Sequence, residues 1–125
     1  MHAQSLPGVD ATRTGLLGFS LGGYLCLRVR RTCQALVEFF APILDDLGTG
    51  PVSLQLQIHH GKRDNLVGFE ANANRIDLAL RSTGAVTELC GYDGAGHGFV
   101  GNDPANANAR ALSKSRAIAF FEAHL

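Results

Sequence analysis

The sequence carries no surplus of charge, no apolar run long enough to span a bilayer and no paired cysteines. Basic and acidic side chains number 11 each in 125 residues, so charge gives no argument for nucleic acid or an anionic membrane surface as a partner. The opening Met1-His2-Ala3-Gln4-Ser5-Leu6-Pro7 lacks the basic-then-apolar order of a secretory leader, and the expectation is a cytoplasmic protein. Cys26, Cys33 and Cys90 are an odd, scattered set without a Cys-x-x-Cys pair, which argues against zinc and redox sites and for buried thiols acting as small hydrophobes. No cofactor or metal is expected. The length fits one domain with a real core, read as residues 1–125 with residues 1–13 as a polar, turn-rich lead-in.

What is abundant is glycine, at 15 residues, and its placement is informative. Leu16-Leu17-Gly18-Phe19-Ser20-Leu21-Gly22-Gly23 passes from an apolar run into Gly-x-Ser-x-Gly and on into a helical stretch. Strand, sharp turn and helix in that order would hold a serine hydroxyl above the end of a sheet, with glycines where the two elements come too close for side chains.

Downstream, Leu21 to Arg31 reads as a helix whose Arg28, Arg30 and Arg31 form a solvated basic cap on the helix dipole. Ala35 to Ala41 is a second buried strand stopped by Pro42. Asp45 and Asp46, beside Gly48 and Pro51, read as a solvated turn rather than a metal or acid/base site. Val52 to His59 alternates as a third strand, Phe69 to Ser82 carries a helical stripe ended by Gly84, and Val86 to Tyr92 is a fourth strand. Asp103-Pro104 opens a helix that runs to Leu125. Helical connections imply right-handed parallel crossovers, giving an α/β fold with a mostly parallel sheet of about four strands and flanking helices.

Ligands bind such sheets at the carboxyl ends of the strands, where Ser20, Asp64 and His97 all fall. A serine hydroxyl needs a base to take its proton, and the imidazole needs an acid behind it. The three candidates stand in the order serine, aspartate, histidine, and the Leu21 N–H at the start of the helix would supply one oxyanion donor. Each has a bland reading: Ser20 as a small turn residue, Asp64 as a surface turn residue. His97 among glycines has no core to fill. His59 and His60 are read as structural or solvent-facing, since neighbours on a strand point to opposite faces and cannot share a metal.

These segments resemble the dienelactone hydrolase family of α/β-hydrolases. Gly18-Phe19-Ser20-Leu21-Gly22-Gly23-Tyr24, His60-Gly61-Lys62-Arg63-Asp64-Asn65-Leu66-Val67 and Tyr92-Asp93-Gly94-Ala95-Gly96-His97-Gly98-Phe99 are similar to its nucleophile, acid and histidine segments. The resemblance implies Ser20 as nucleophile, Asp64 as acid and His97 as base. It departs from the founding members, which carry a cysteine nucleophile, and from their substrate-binding arginine, in whose place stand Val100 and Gly101. Both departures point to a carboxylesterase for small uncharged esters rather than anionic lactones. Family members are about twice as long, so the chain resembles their C-terminal half, a truncated hydrolase lacking the loop with the second oxyanion N–H. One lost oxyanion donor costs on the order of a hundredfold to a thousandfold, so activity is expected to be weak. The strand Leu16 to Phe19 would then be an exposed edge, and the expectation is a homodimer formed across it. The alternative is a weakly active or inactive remnant that acts through association with itself or a partner chain.

Overall fold

Residues 15–19 of the apolar run pair as the outer strand of a four-stranded, wholly parallel sheet in the computed structural model, which describes residues 2–125. The strands are β1 (Gly15–Phe19), β2 (Ala35–Phe39), β3 (Gln55–Gly61) and β4 (Val86–Tyr92), in the spatial order β1-β2-β3-β4. Helix α1 (Leu21–Arg28) joins β1 to β2. A π-helical turn (Phe69–Asn74) running into α2 (Arg75–Arg81) joins β3 to β4, and α3 (Pro104–His124) closes the chain. Asp103 caps α3 by accepting from Asn106 N–H at 3.1 Å. Among the described residues no helix is long and apolar enough to cross a membrane.

Both faces of the sheet are covered. Leu27, Leu36, Leu56, Ile58, Ile76 and Leu80 fill the layer under α1 and α2, while Ala35, Val37, Phe39 and Cys90 pack against Phe120 of α3. Cys33 and Cys90 are buried and free, and burial pushes their thiols up to about 11 and about 12, so they serve as packing groups. Two glycines set the close approaches on which the site depends. A Cβ on Gly18 would run into the Gly22 carbonyl, where strand and helix cross. One on Gly61 would run into the Ala95 carbonyl, where the end of β3 meets the loop after β4.

Several details differ from the sequence reading. Helix α1 ends at Arg28, and Arg30 is buried rather than solvated: its guanidinium donates to the Leu27 and Leu47 carbonyls. Arg31 donates to Gly50 and Pro51 carbonyls, so this pair straps down the helix-free connection 40–54. Arg28, paired with Asp45 at 3.2 Å, and Arg31 are exposed as the cap reading expects. Strand β3 begins three residues later than the alternation suggests, because Val52 N–H bonds to Thr83 O instead of a neighbouring strand. His59 and His60 are both fully buried, which removes the solvent-facing alternative. His59 lies between Phe39 and Tyr92 and bonds Gln57 Oε1 at 2.7 Å and Tyr92 Oη at 2.8 Å.

Among the described residues strand β1 has no neighbour on its outer side. Leu17 is 46% exposed and Phe19 53%, and both line an apolar groove of about 460 Å³ against α3. Leu21, Leu25 and Val29 extend the exposed apolar surface along α1.

Candidate active site

The turn after β1 places Ser20 at φ 51° and ψ −119°, a conformation L-residues rarely adopt. Its N–H still bonds to Phe39 O at 2.8 Å, and its carbonyl accepts from Tyr24 N–H at 3.1 Å, so the residue is held between the last rung of the sheet and the first turn of α1. The absence of a side chain at Gly18 makes room for that turn, and a Cβ at Gly23 would crowd Ala41 and the Gly18 carbonyl. Leu21 is the first residue of α1, so its N–H is one of the four at a helix start with no carbonyl partner in the helix.

Asp64 sits in the turn after β3, its side chain wholly shielded from solvent. Oδ1 accepts from Leu66 N–H at 2.9 Å and Val67 N–H at 2.7 Å. Oδ2 faces His97 Nδ1 at 2.7 Å. These contacts fix both carboxylate oxygens in place. His97 rises from the loop after β4, where Gly98 at φ 75° and Phe99 at φ 53° wind the backbone tightly. The other ring nitrogen of His97, Nε2, lies 3.3 Å from Ser20 Oγ.

The structure thus brings together all three side chains singled out in the sequence. A carboxylate can only accept, so the contact at 2.7 Å puts the His97 proton on Nδ1 and leaves Nε2 bare toward the serine hydroxyl. The arrangement can draw the proton from Ser20 and hold the resulting imidazolium. A Ser–His spacing of 3.3 Å is within the range that tightens as substrate binds.

Two contributors went unnoticed in the sequence. Phe40, at φ 43°, turns out of β2 and packs its ring 5.1 Å from that of His97. Beneath it, the fully buried Glu38 accepts from Ala41 N–H at 2.9 Å and so closes the turn that presents Phe40. Burial pushes the Glu38 carboxyl up to about 8, and its Oε1 has no hydrogen-bond partner. The only signal was a carboxylate inside an unbroken apolar strand, Ala35-Leu36-Val37-Glu38-Phe39. No group of three or more histidine, cysteine, aspartate or glutamate side chains suited to a metal ion occurs among the described residues.

The family model of the dienelactone hydrolases matches residues 1–125. No curated protein matches the chain. Among solved structures, a dienelactone hydrolase-like promiscuous phosphotriesterase from metagenomic libraries superposes with a TM-score of 0.78 at 23% identity, covering 97% of this chain and 56% of that one. A thermophilic esterase of the planctomycete Thermogutta terrifontis superposes with a TM-score of 0.72 at 22% identity, covering 90% and 55%. At such identities the likeness is one of fold, an α/β-hydrolase-type sheet with flanking helices, and the chain spans a little over half the length of these relatives.

Proposed function

The chain belongs to the dienelactone hydrolase family, and from that premise we propose that it is a serine hydrolase of the carboxylesterase type, acting on small uncharged esters. The observation that carries the reading is the continuous path from Ser20 Oγ through His97 to Asp64 Oδ2, with contacts of 3.3 and 2.7 Å. Ser20 Oγ attacks the ester carbonyl while His97 Nε2 takes its proton. The tetrahedral oxyanion is met by the Leu21 N–H at the positive end of α1. The intermediate collapses with loss of the alcohol, which receives the proton from His97, and leaves an acyl group on Ser20. Water, deprotonated by His97, then releases the acid. Asp64 keeps the imidazole in the required tautomer throughout.

An uncharged substrate is favoured by the aromatic surroundings, Phe40 against His97 and Phe19 beside Ser20, and by Val100 and Gly101 following the histidine segment. A short acyl group is favoured by the Thermogutta terrifontis esterase, whose structures include propionate-bound and butyrate-bound forms. The reading is tested with nitrophenyl acetate and butyrate against a nitrophenyl hemisuccinate. Turnover of the neutral esters, lost in His97→Ala, is expected; preference for the anionic ester, or turnover indifferent to His97, would refute it.

The same reading includes association with a second copy through β1. Edge strands that remain single are commonly blocked by charge or proline, whereas Gly15-Leu16-Leu17-Gly18-Phe19 contains neither. A two-fold axis would pair this neutral strand with itself and cover Leu17 and Phe19. Light scattering at micromolar concentration is expected to give twice the chain mass of 13.3 kDa, falling to the single mass in Leu17→Lys. A stable wild-type monomer would contradict the dimer.

A further inference from the structure

Behind the acid lies a second histidine to which the sequence assigned no role. His60 of β3 is fully buried, packed edge-on against Phe69. Its Nε2 is 2.7 Å from the Val67 carbonyl and 3.4 Å from Asp64 Oδ2. A carbonyl only accepts, so Nε2 must carry a hydrogen. The opposite nitrogen, Nδ1, is buried without a hydrogen-bond partner, as befits the bare nitrogen of a neutral ring. Burial holds this imidazole below the usual histidine range, against the raising influence of Val67 and Asp64.

The contacts form a closed circuit. Val67 N–H donates to Asp64 Oδ1 while Val67 O accepts from His60, whose Nε2 also lies 3.4 Å from Asp64 Oδ2, the oxygen that holds His97. The start of the acid turn is fixed to neighbouring backbone through Lys62 N–H to Tyr92 O and Arg63 N–H to Ala95 O. Its far end passes through the exposed Leu66 and is tied back to β3 by His60. Resting on the hydrolase reading above, we propose that His60 is a positioning residue of the triad: a neutral imidazole whose single N–H anchors the Asp64–Val67 turn and keeps the carboxylate aimed at His97. It touches no substrate and transfers no proton.

The test uses His60→Gln, which places an amide N–H near the position of Nε2–H, and His60→Leu, which removes the donor. With nitrophenyl butyrate, His60→Leu is expected to lower kcat by roughly 10- to 100-fold with KM within about twofold, because a displacement on the order of 1 Å in the catalytic geometry costs that much. His60→Gln should recover kcat to within about fivefold of wild type. Proton NMR gives a readout independent of turnover: the strongly downfield Nδ1–H signal of His97, expected from its short bond to Asp64, should persist in wild type and His60→Gln and be lost in His60→Leu. Wild-type kcat and an intact signal in His60→Leu would overturn the proposal, as would a folded His60→Gln that has lost both. If His60→Leu fails to fold, His60→Gln alone decides. If the wild type turns over no ester, the hydrolase reading fails while the NMR comparison still judges His60.

Discussion

Ser20→Ala is expected to lower kcat for nitrophenyl butyrate by on the order of 10⁴-fold, with the fold and KM preserved. The hydroxyl contacts nothing that holds the elbow together: the turn is kept by Ser20 N–H to Phe39 O and Ser20 O to Tyr24 N–H, both main-chain. Its loss removes only the attacking atom. The residual rate comes from binding and from the N–H at the start of α1, which work without the nucleophile. His97→Ala should cost about as much, and the double variant no more than either single one, since members of a nucleophile–base pair fail as a unit. Additive losses, multiplying toward 10⁸-fold, would mean that the two residues serve separate steps.

Glu38→Gln is expected to stabilise the protein by about 3–5 kcal/mol at pH 8 and to have little effect at pH 4.5. Burial raises the Glu38 carboxyl from 4.5 to about 8, so between those values the folded state binds a proton that the unfolded state has lost. The Glu38 contribution to stability therefore falls by about 1.4 kcal/mol per pH unit across that window and levels off above it, where both states are ionised. Glutamine is neutral throughout and can still accept from Ala41 N–H, which removes the slope. On the acid side burial holds His60 down and, together with Arg116, holds His59 down to about 4. The His59 contribution is present above pH 6.5 and lost as pH falls toward 4. Wild-type stability should thus be greatest below neutrality and decline from pH 6.5 to 8. Urea denaturation across that range checks this, and a flat profile for wild type, or a slope retained in Glu38→Gln, would contradict it.

The grouping of Ser20, Asp64 and His97 in a candidate site was legible in the sequence because it rests on local signals. An elbow needs glycines within a few residues of the serine, and an acid and a histidine at strand ends need the turns that Gly61 and Gly94 to Gly98 announce. The four parallel strands were equally plain as apolar runs. What escaped depended on long-range contacts. Arg30 looked like a solvated cap because nothing adjacent in sequence reveals the Leu47 carbonyl that receives it. Glu38 sat inside a run that reads as uniformly apolar, and only tertiary packing shows that its carboxyl closes the Phe40 turn. His60 was indistinguishable from His59 as one of two histidines ending a strand. Alternation sent them to opposite faces, but not one to a Gln57–Tyr92 pair and the other to the acid turn. The early start assigned to β3 followed alternation from Val52, which the observed contact with Thr83 interrupts.

On the proposed reading His97 and Asp64 activate Ser20 as a nucleophile. A fluorophosphonate probe measures this directly, because Ser20 Oγ would attack phosphorus, expel fluoride and pass its proton to His97, leaving a stable adduct. The Thermogutta terrifontis esterase is known in a form phosphonylated by cyclosarin. Intact mass and peptide mapping are expected to show one adduct per chain, on Ser20, absent from Ser20→Ala and slowed by at least a thousandfold in His97→Ala. Labelling at another residue, or labelling of Ser20 at the same rate without His97, would contradict the account.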